Sequence, residues 1–179
     1  MGFTSGDELF SDPPAFRVGI DVMKLQLPKR ESFAGFVDVV SDQLTPLERA
    51  NLLPSPPSPA LSEMEALRRF YIIWTLKEAY TKALGLGLGF DFKRIEYDTS
   101  QDVVRIDGVT PQGWQFIRFE ISDKNGELIP EVYVGVVANF VGRGSEECET
   151  CRVEFREART WLKIRGAAEF LEGALRDLQ

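Results

Sequence analysis

The sequence contains no histidine. That absence excludes Ser-His-Asp and Cys-His catalytic sites, together with every metal site that depends on imidazole ligands. A metal ion bound by this chain is therefore expected to have oxygen ligands, which favours Mg²⁺ over zinc.

Cysteine is nearly absent as well. The only two cysteines, Cys148 and Cys151, form the sequence Cys-Glu-Thr-Cys. A zinc site would need a second pair of cysteine or histidine ligands, and a thioredoxin-like redox site would need a strand before the motif and a helix after it. Both are missing, so we expect two incidental reduced thiols in an acidic loop.

Long apolar runs and an excess of basic residues are also missing. No apolar run approaches the ~20 residues of a membrane-spanning helix, and residues 1–14 lack the basic start and apolar stretch of an export signal. The net charge of −7 argues against general nucleic-acid binding. We therefore expect a cytoplasmic protein that binds neither nucleic acid nor membrane.

The chain is long enough to bury a core. Its 179 residues, 44% of them hydrophobic, fit one domain or two small lobes. Residues 1–15 are predicted to be a flexible leader and residues 16–141 a folded domain. Residues 142–179 are predicted to be an acidic linker followed by a helical tail at 167–178.

A long amphipathic helix is predicted from Ser62 to about Leu84. Ser62 followed by Glu65 is typical of a capping box, and Gly85 is typical of the residue that ends a helix. The other predicted elements are a strand at 16–22, helices at 31–40 and from Thr45, and strands at 92–97, 103–106, 114–121 and 132–138. The fold class is α+β: a small antiparallel sheet, arranged as a consecutive meander, packed against the long helix.

The long helix carries the first candidate site residues. Because each helical residue advances by about 100°, Glu78 and Lys82 lie only about 40° apart, and Lys77 lies about 100° from Glu78. A glutamate four residues before a lysine is also the usual stabilising pair of a solvated helix, so that interpretation stays open. Trp74 on the same side, and the glycine-rich sequence after the helix, favour a covered and functional surface.

Asp21 is the candidate residue of the first strand. An aspartate near the end of a strand often caps a turn. Its neighbours Ile20 and Val22 are apolar, so we expect a buried carboxylate that needs a partner, such as a divalent cation. The run Gly85-Leu-Gly87-Leu-Gly89 follows a helix instead of preceding one, so we interpret it as a helix end and not as a phosphate loop.

Two segments together resemble a known family. They are Gly19-Ile20-Asp21-Val22-Met23-Lys24 and Trp74-Thr-Leu-Lys77-Glu78-Ala-Tyr-Thr-Lys82, the second continued by Gly85-Leu-Gly87-Leu88. They look like two sequence blocks of the 4′-phosphopantetheinyl transferases, specifically of the eukaryotic cytosolic (Sfp/aminoadipate-type) branch. The resemblance covers residues 16–140 and implies the C-terminal lobe of that fold.

The resemblance implies a function and a set of roles. Such enzymes, holo-[acyl-carrier-protein] synthases, transfer 4′-phosphopantetheine from coenzyme A to a serine of an apo-carrier protein and release adenosine 3′,5′-bisphosphate. By resemblance, Asp21 and Glu78 bind Mg²⁺, and Glu78 and Lys82 are catalytic. Glu78, or a water that it orients, is then the general base, and Lys82 neutralises the leaving group. Lys77, Lys82 and Lys24 are implied to contact coenzyme A.

Two features differ from the family pattern. Many bacterial relatives have a second acidic residue where Met23 stands, although the eukaryotic branch commonly has this form and water can take the vacant position. Full-length members have two lobes with the active site between them, whereas this chain resembles one. A homo-oligomer could restore the cleft, and the alternative is an inactive lobe that acts as a binding module.

The carrier that the chain would serve stays open between acyl, peptidyl and aminoadipate reductase carriers. Because carrier proteins tend to be acidic, docking would need a local basic region. The candidate residues for it are Arg17, Lys24, Lys29 and Arg30. Charge clusters of this kind are usually plain solvated surface.

Overall fold

The computed structural model describes residues 16–28, 31–56, 59, 61–86, 89–123, 131–142, 151–162, 168 and 175–176. The predicted leader, Lys29 and Arg30, Gly87 and Leu88, Cys148 and most of the predicted tail helix lie outside these residues. The strands are β1 (Val18–Lys24), β2 (Ile95–Asp98), β3 (Val103–Ile106), β4 (Trp114–Asp123), β5 (Glu131–Phe140) and β6 (Val153–Phe155). The helices are α1 (Phe33–Val39), α2 (Pro46–Leu52), α3 (Glu63–Leu84) and α4 (Ala158–Trp161).

The strands form two sheets. One has the order β1-β5-β4-β6, and the other is the β2–β3 hairpin. The α+β class is confirmed, but the consecutive meander is wrong. β1 pairs with β5, almost at the other end of the domain, while β2 and β3 form a separate hairpin that a bridge between Val103 and Arg152 links to the start of β6. The packing of α3 along β1 and β5 sets this arrangement, because both strands contribute their inner side chains to the core shared with the helix.

The limits of α3 follow from its caps. The Ser62 hydroxyl accepts a hydrogen bond from the Glu65 amide at its start, and Gly85 ends it with a φ of 75°, a conformation that glycine adopts without strain. In a capping box the Glu65 side chain would also accept from the Ser62 amide. Here its two carboxylate oxygens accept from Arg68 and Arg69 instead. None of the described helices combines the length and apolar character of a membrane span.

β1 and α3 approach each other at Gly19. A Cβ at this position would lie 2.0 Å from the carbonyl oxygen of Ala79 and 2.6 Å from the amide nitrogen of Ala83, both backbone atoms that cannot move aside. The Phe16 amide, just before β1, donates to the Ala83 carbonyl oxygen at 2.9 Å. Only a residue without a side chain allows β1 to lie this close to the helix.

We therefore expect Gly19→Ala to lower the free energy of unfolding by at least about 2 kcal/mol, the usual cost of overpacking a core. Urea denaturation followed by circular dichroism measures this change. Gly89→Ala is the matched control, because a Cβ there meets no atom within 4 Å. Equal unfolding midpoints for the two variants would show that the close approach of β1 to α3 is wrong.

The opposite face of the four-stranded sheet is covered only in part. β6 pairs in parallel with β4, and Trp161 of α4 packs edge-on against Phe119, with the ring centroids 5.5 Å apart. These two short elements were not predicted from the sequence. Three outward residues of β1 stay exposed among the described residues. They are Val18, Ile20 and Val22, at 57%, 45% and 39% exposure, and we call them the exposed β1 row.

Candidate active site

Three of the predicted site residues meet between β1 and α3. The ammonium group of Lys82 donates to Asp21 Oδ1 at 2.6 Å and to the Ile20 carbonyl oxygen at 3.2 Å. Glu78 lies one helical turn before Lys82 and is close enough to Asp21 for the two carboxylates to interact electrostatically. We call Asp21, Glu78 and Lys82 the acidic cluster. It joins the two segments that the sequence analysis singled out.

The charges of the acidic cluster shift the titration of Glu78. Partial burial raises the pKa of Glu78 above its usual value, and the negative charge of Asp21 raises it further, while Lys82 lowers it. Two carboxylates held together by the fold therefore repel each other, and one lysine only partly compensates them. The cluster therefore has a net negative charge that a bound cation would neutralise.

The acidic cluster fits a magnesium ion. Asp21 Oδ2 is buried and has no hydrogen-bond partner among the described residues, so a ligand oxygen is left over at this point. No group of three or more Asp, Glu, Cys or His side chains with metal-binding geometry occurs in the described part of the chain. Mg²⁺ commonly takes only one or two carboxylates and completes its shell with phosphate and water, so Asp21 and Glu78 are a sufficient protein contribution.

Lys77 has a different role from the one that the resemblance implied. Its side chain is completely buried. All three donor positions of its ammonium group are used: by Glu48 Oε2 at 2.7 Å, by the Gln43 carbonyl oxygen at 2.8 Å and by the Phe92 carbonyl oxygen at 3.0 Å. In this structure Lys77 cannot contact a coenzyme A phosphate. It holds α3 in place instead.

Glu48 is the partner that the sequence analysis missed. It is fully buried and accepts hydrogen bonds from the amides of Thr45 and Tyr97 as well as from Lys77. Burial raises the pKa of Glu48 and lowers the pKa of Lys77, and the attraction between the two charges opposes both shifts. The sequence signal was the capping box that begins with Thr45, which is present. A capping box does not reveal that its glutamate also binds a distant lysine.

Lys24 and Trp74 also lie apart from the acidic cluster. Lys24 forms an ion pair with Glu131, on the opposite face of β1 from Asp21, because side chains alternate along a strand. Its predicted contact with coenzyme A would have to occur away from the cluster. Trp74 was predicted to lie on a covered surface, and this chain itself contributes to the cover, because Trp74 stacks on Phe70 and meets Phe92 edge-on.

The electrostatic coupling within the acidic cluster can be tested by titration. We expect Asp21→Asn to lower the pKa of Glu78, because a like charge is removed, and Lys82→Gln to raise it, because a compensating charge is lost. Carbon-13 NMR of the metal-free protein, with the other glutamates as internal references, measures both. Since the raised pKa disfavours ionised Glu78 in the folded state, its ionisation reduces stability as the pH rises through this titration. An unchanged Glu78 pKa in Asp21→Asn would place the carboxylates too far apart to share a metal ion.

This chain is similar in sequence to several known proteins. The sequence profile of the 4′-phosphopantetheinyl transferase superfamily matches residues 17–128. A 4′-phosphopantetheinyl transferase of Paxillus involutus is 53% identical over 146 residues, which are 79% of this chain and 51% of the relative. A phosphopantetheinyl transferase of Thraustochytrium is 31% identical over 117 residues, which are 63% of this chain and 40% of the relative. An L-aminoadipate-semialdehyde dehydrogenase-phosphopantetheinyl transferase of Mus musculus is 31% identical over 121 residues, or 62% of this chain and 38% of the relative. The chain thus spans about half the length of the first of these relatives, and less of the others.

Proposed function

Because this chain belongs to the 4′-phosphopantetheinyl transferase superfamily, we propose that it transfers 4′-phosphopantetheine from coenzyme A to a serine hydroxyl of a carrier protein. The similarity to eukaryotic and aminoadipate-type relatives agrees with the branch that the sequence blocks indicate. The observation that carries the proposal is the convergence of Asp21, Glu78 and Lys82 from two distant segments into one cluster.

Glu78 is the proposed general base. It accepts the proton of the carrier serine, directly or through a water, while the serine oxygen forms a bond to the phosphorus that bears the pantetheine arm. The bond from that phosphorus to adenosine 3′,5′-bisphosphate breaks. The raised pKa of Glu78 suits this role, because a carboxylate with a higher pKa is a stronger base near neutral pH.

Lys82 is the proposed phosphate ligand. Its side chain is about half exposed, and two acceptors in the described residues, Asp21 Oδ1 and the Ile20 carbonyl oxygen, leave one of its three N–H groups for a phosphate oxygen. It stabilises the negative charge that develops on the leaving group. Asp21 and Glu78 would hold Mg²⁺, which when bound supplies further positive charge on the phosphate oxygens.

The carrier protein is the proposed partner. Of the four basic residues predicted for docking, Arg17 is exposed, Lys24 is paired with Glu131, and the other two lie outside the described residues. Arg17 immediately precedes β1 and thus lies on the same strand segment as Asp21. An acidic carrier that approaches the acidic cluster would therefore meet Arg17, which favours its association.

Release of the leaving group tests the function. We would incubate the chain with coenzyme A, Mg²⁺ and an apo-acyl carrier protein, and quantify adenosine 3′,5′-bisphosphate by chromatography. Time-dependent release that stops when EDTA is added or the carrier is omitted is the expected result. Release without a carrier would indicate hydrolysis, and no release from a folded chain would contradict the proposal.

A second candidate function is an interaction module without activity, and the exposed β1 row favours it. Three apolar side chains in a row on an edge strand form a surface that a partner chain or a second copy would bury. Light scattering after size-exclusion chromatography distinguishes the cases. A dimer or trimer that Ile20→Lys converts to a monomer would support self-association. A wild-type monomer that transfers phosphopantetheine would show that the single lobe is sufficient.

A further inference from the structure

A polar cleft separates the first half of α3 from the β2–β3 hairpin. It has a volume of about 230 Å³. Its lining includes Glu65, Arg68 and Arg69 from α3, Thr99 and Asp102 from the hairpin, and Arg118 from β4. Arg69 and Glu78 are nine residues apart on the same helix, or roughly 14 Å along its axis. The cleft is thus distinct from the acidic cluster.

The carboxylates of the cleft are already engaged. Glu65 accepts from Arg68 at 3.3 Å through one oxygen and from Arg69 at 3.1 Å through the other. Asp102 Oδ1 accepts from the hydroxyl of Tyr97 at 2.5 Å. Of the four oxygens of these two carboxylates, three thus already accept a hydrogen bond from a described residue.

The donors of the cleft, in contrast, are incompletely used. Arg118 Nε is buried without a hydrogen-bond partner among the described residues, and the same holds for the hydroxyl of Thr99. The ion-pair partner of Arg118 is Asp102, whose Oδ2 lies 4.0 Å from the guanidinium, beyond hydrogen-bond distance. Buried polar groups in native proteins are nearly always paired, so these two donors indicate an acceptor that the described chain does not supply.

The two arginines of α3 differ in how many of their N–H groups have an acceptor. Arg68 donates to both Glu65 and Glu120, whereas the hydrogen bond of Arg69 uses only its Nε, towards Glu65. The terminal nitrogens of Arg69 have no acceptor among the described residues and are left for another one. Together with Arg118 and Thr99, they give the cleft more donors than acceptors.

We propose that this cleft binds a small oxyanion, a phosphate or carboxylate group, through Arg69, Arg118 and the Thr99 hydroxyl. A guanidinium presents its N–H groups in a planar fork that matches the oxygens of both groups. The volume accommodates one such group with a short attached chain and is too small for a drug-sized ligand, whose pockets begin at about 300 Å³. Three arginines face two carboxylates in the lining of the cleft, on a chain with a net charge of −7.

Inorganic phosphate and acetate, titrated separately into the full chain by isothermal calorimetry at constant ionic strength, are the probes. Saturable binding of one equivalent with a millimolar dissociation constant is expected, at least tenfold weaker in Arg118→Gln and weakened in Arg69→Gln. Arg118→Lys, which keeps the charge but loses the fork, is expected to fall between the wild type and Arg118→Gln. If phosphate saturates the cleft and acetate does not, the cleft is a phosphate site. If both saturate it, the cleft binds carboxylate and phosphate groups alike.

Two control variants locate the binding. Arg49→Gln removes a surface guanidinium of comparable exposure that pairs with Asp38, and it is expected to leave binding unchanged. Lys93→Gln, which removes a half-exposed lysine that pairs with Asp42, is also expected to leave binding unchanged. Absence of saturable binding by the wild type, or binding by folded Arg118→Gln that is as tight as that of the wild type, would overturn the proposal, and the cleft would then hold only water.

Discussion

Replacing Glu78 by Gln is expected to reduce phosphopantetheine transfer by about 10²–10⁴-fold, the range for losing a positioned acid–base group. The amide has the shape of the carboxylate but neither its basicity nor its charge. The substitution removes a proton acceptor and one of the two carboxylates proposed to hold Mg²⁺. Because Glu78 repels Asp21 in the folded state, we expect Glu78→Gln to leave the free energy of unfolding unchanged or slightly higher.

The comparison needs a control on the same helix. Glu63 is exposed in the first turn of α3, far from the acidic cluster, and Glu63→Gln makes the same chemical change without reaching the site. Initial rates at saturating coenzyme A and Mg²⁺, with an unfolding curve for each variant, separate loss of function from loss of fold. A folded Glu78→Gln protein with more than half of the wild-type rate would exclude Glu78 from the reaction.

Breaking the buried ion pair between Glu48 and Lys77 is expected to cost about 3–5 kcal/mol of stability, because either single substitution leaves an uncompensated charge in the core. Glu48 caps the start of α2 through its bond with Thr45 and links α2 to β2 through its bond with Tyr97. Lys77 links α3 to the segments around Gln43 and Phe92. The pair therefore connects α3 with α2 and β2.

The double variant Glu48→Leu with Lys77→Met is expected to be more stable than either single variant, since no unpaired charge remains. Chemical denaturation of the wild type, both single variants and the double variant yields the coupling energy of the pair. The exposed pair of Arg49 with Asp38 is the matched comparison, with an expected coupling below about 1 kcal/mol. A similarly small coupling for Glu48 and Lys77 would contradict their burial in the structure.

The pair also bears on the acidic cluster, because Lys77 directly precedes Glu78 in α3. The three hydrogen bonds of Lys77 fix the rotation of the helix about its axis, and that rotation turns Glu78 towards Asp21. Lys77 thus supports the site by positioning its neighbour. A sequence block shared with a family does not separate this role from direct contact with a ligand.

Local signals explain what the sequence predicted well. Ser62 and Gly85 fix the ends of α3 through hydrogen bonding and backbone conformation within a few residues, so its limits could be read directly. The placement of Asp21, Glu78 and Lys82 in one cluster came from the family resemblance, and the structure brings these residues together. Gly19, which had no assigned role, is explained by the space between β1 and α3.

Non-local contacts explain what the sequence did not predict. The pairing of β1 with β5 depends on the packing of α3 against both strands, and no pattern within either strand specifies its partner. The burial of Lys77 depends on acceptors from three other segments, so the helical geometry that places it about 100° from Glu78 does not reveal it. Val153–Phe155 is too short to show a strand period and is ordered by its parallel pairing with β4.

The central claim, that this chain is a phosphopantetheinyl transferase with the acidic cluster as its site, is tested most directly by the mass of the carrier. An apo-carrier protein is incubated with the chain, coenzyme A and Mg²⁺, in parallel with EDTA and with Glu78→Gln, and the intact carrier is weighed by mass spectrometry. A gain of one phosphopantetheine that is lost in both parallel samples is the predicted result. An unchanged carrier mass with the folded wild-type chain, across acyl, peptidyl and aminoadipate reductase carriers, would contradict the claim and favour the interaction module.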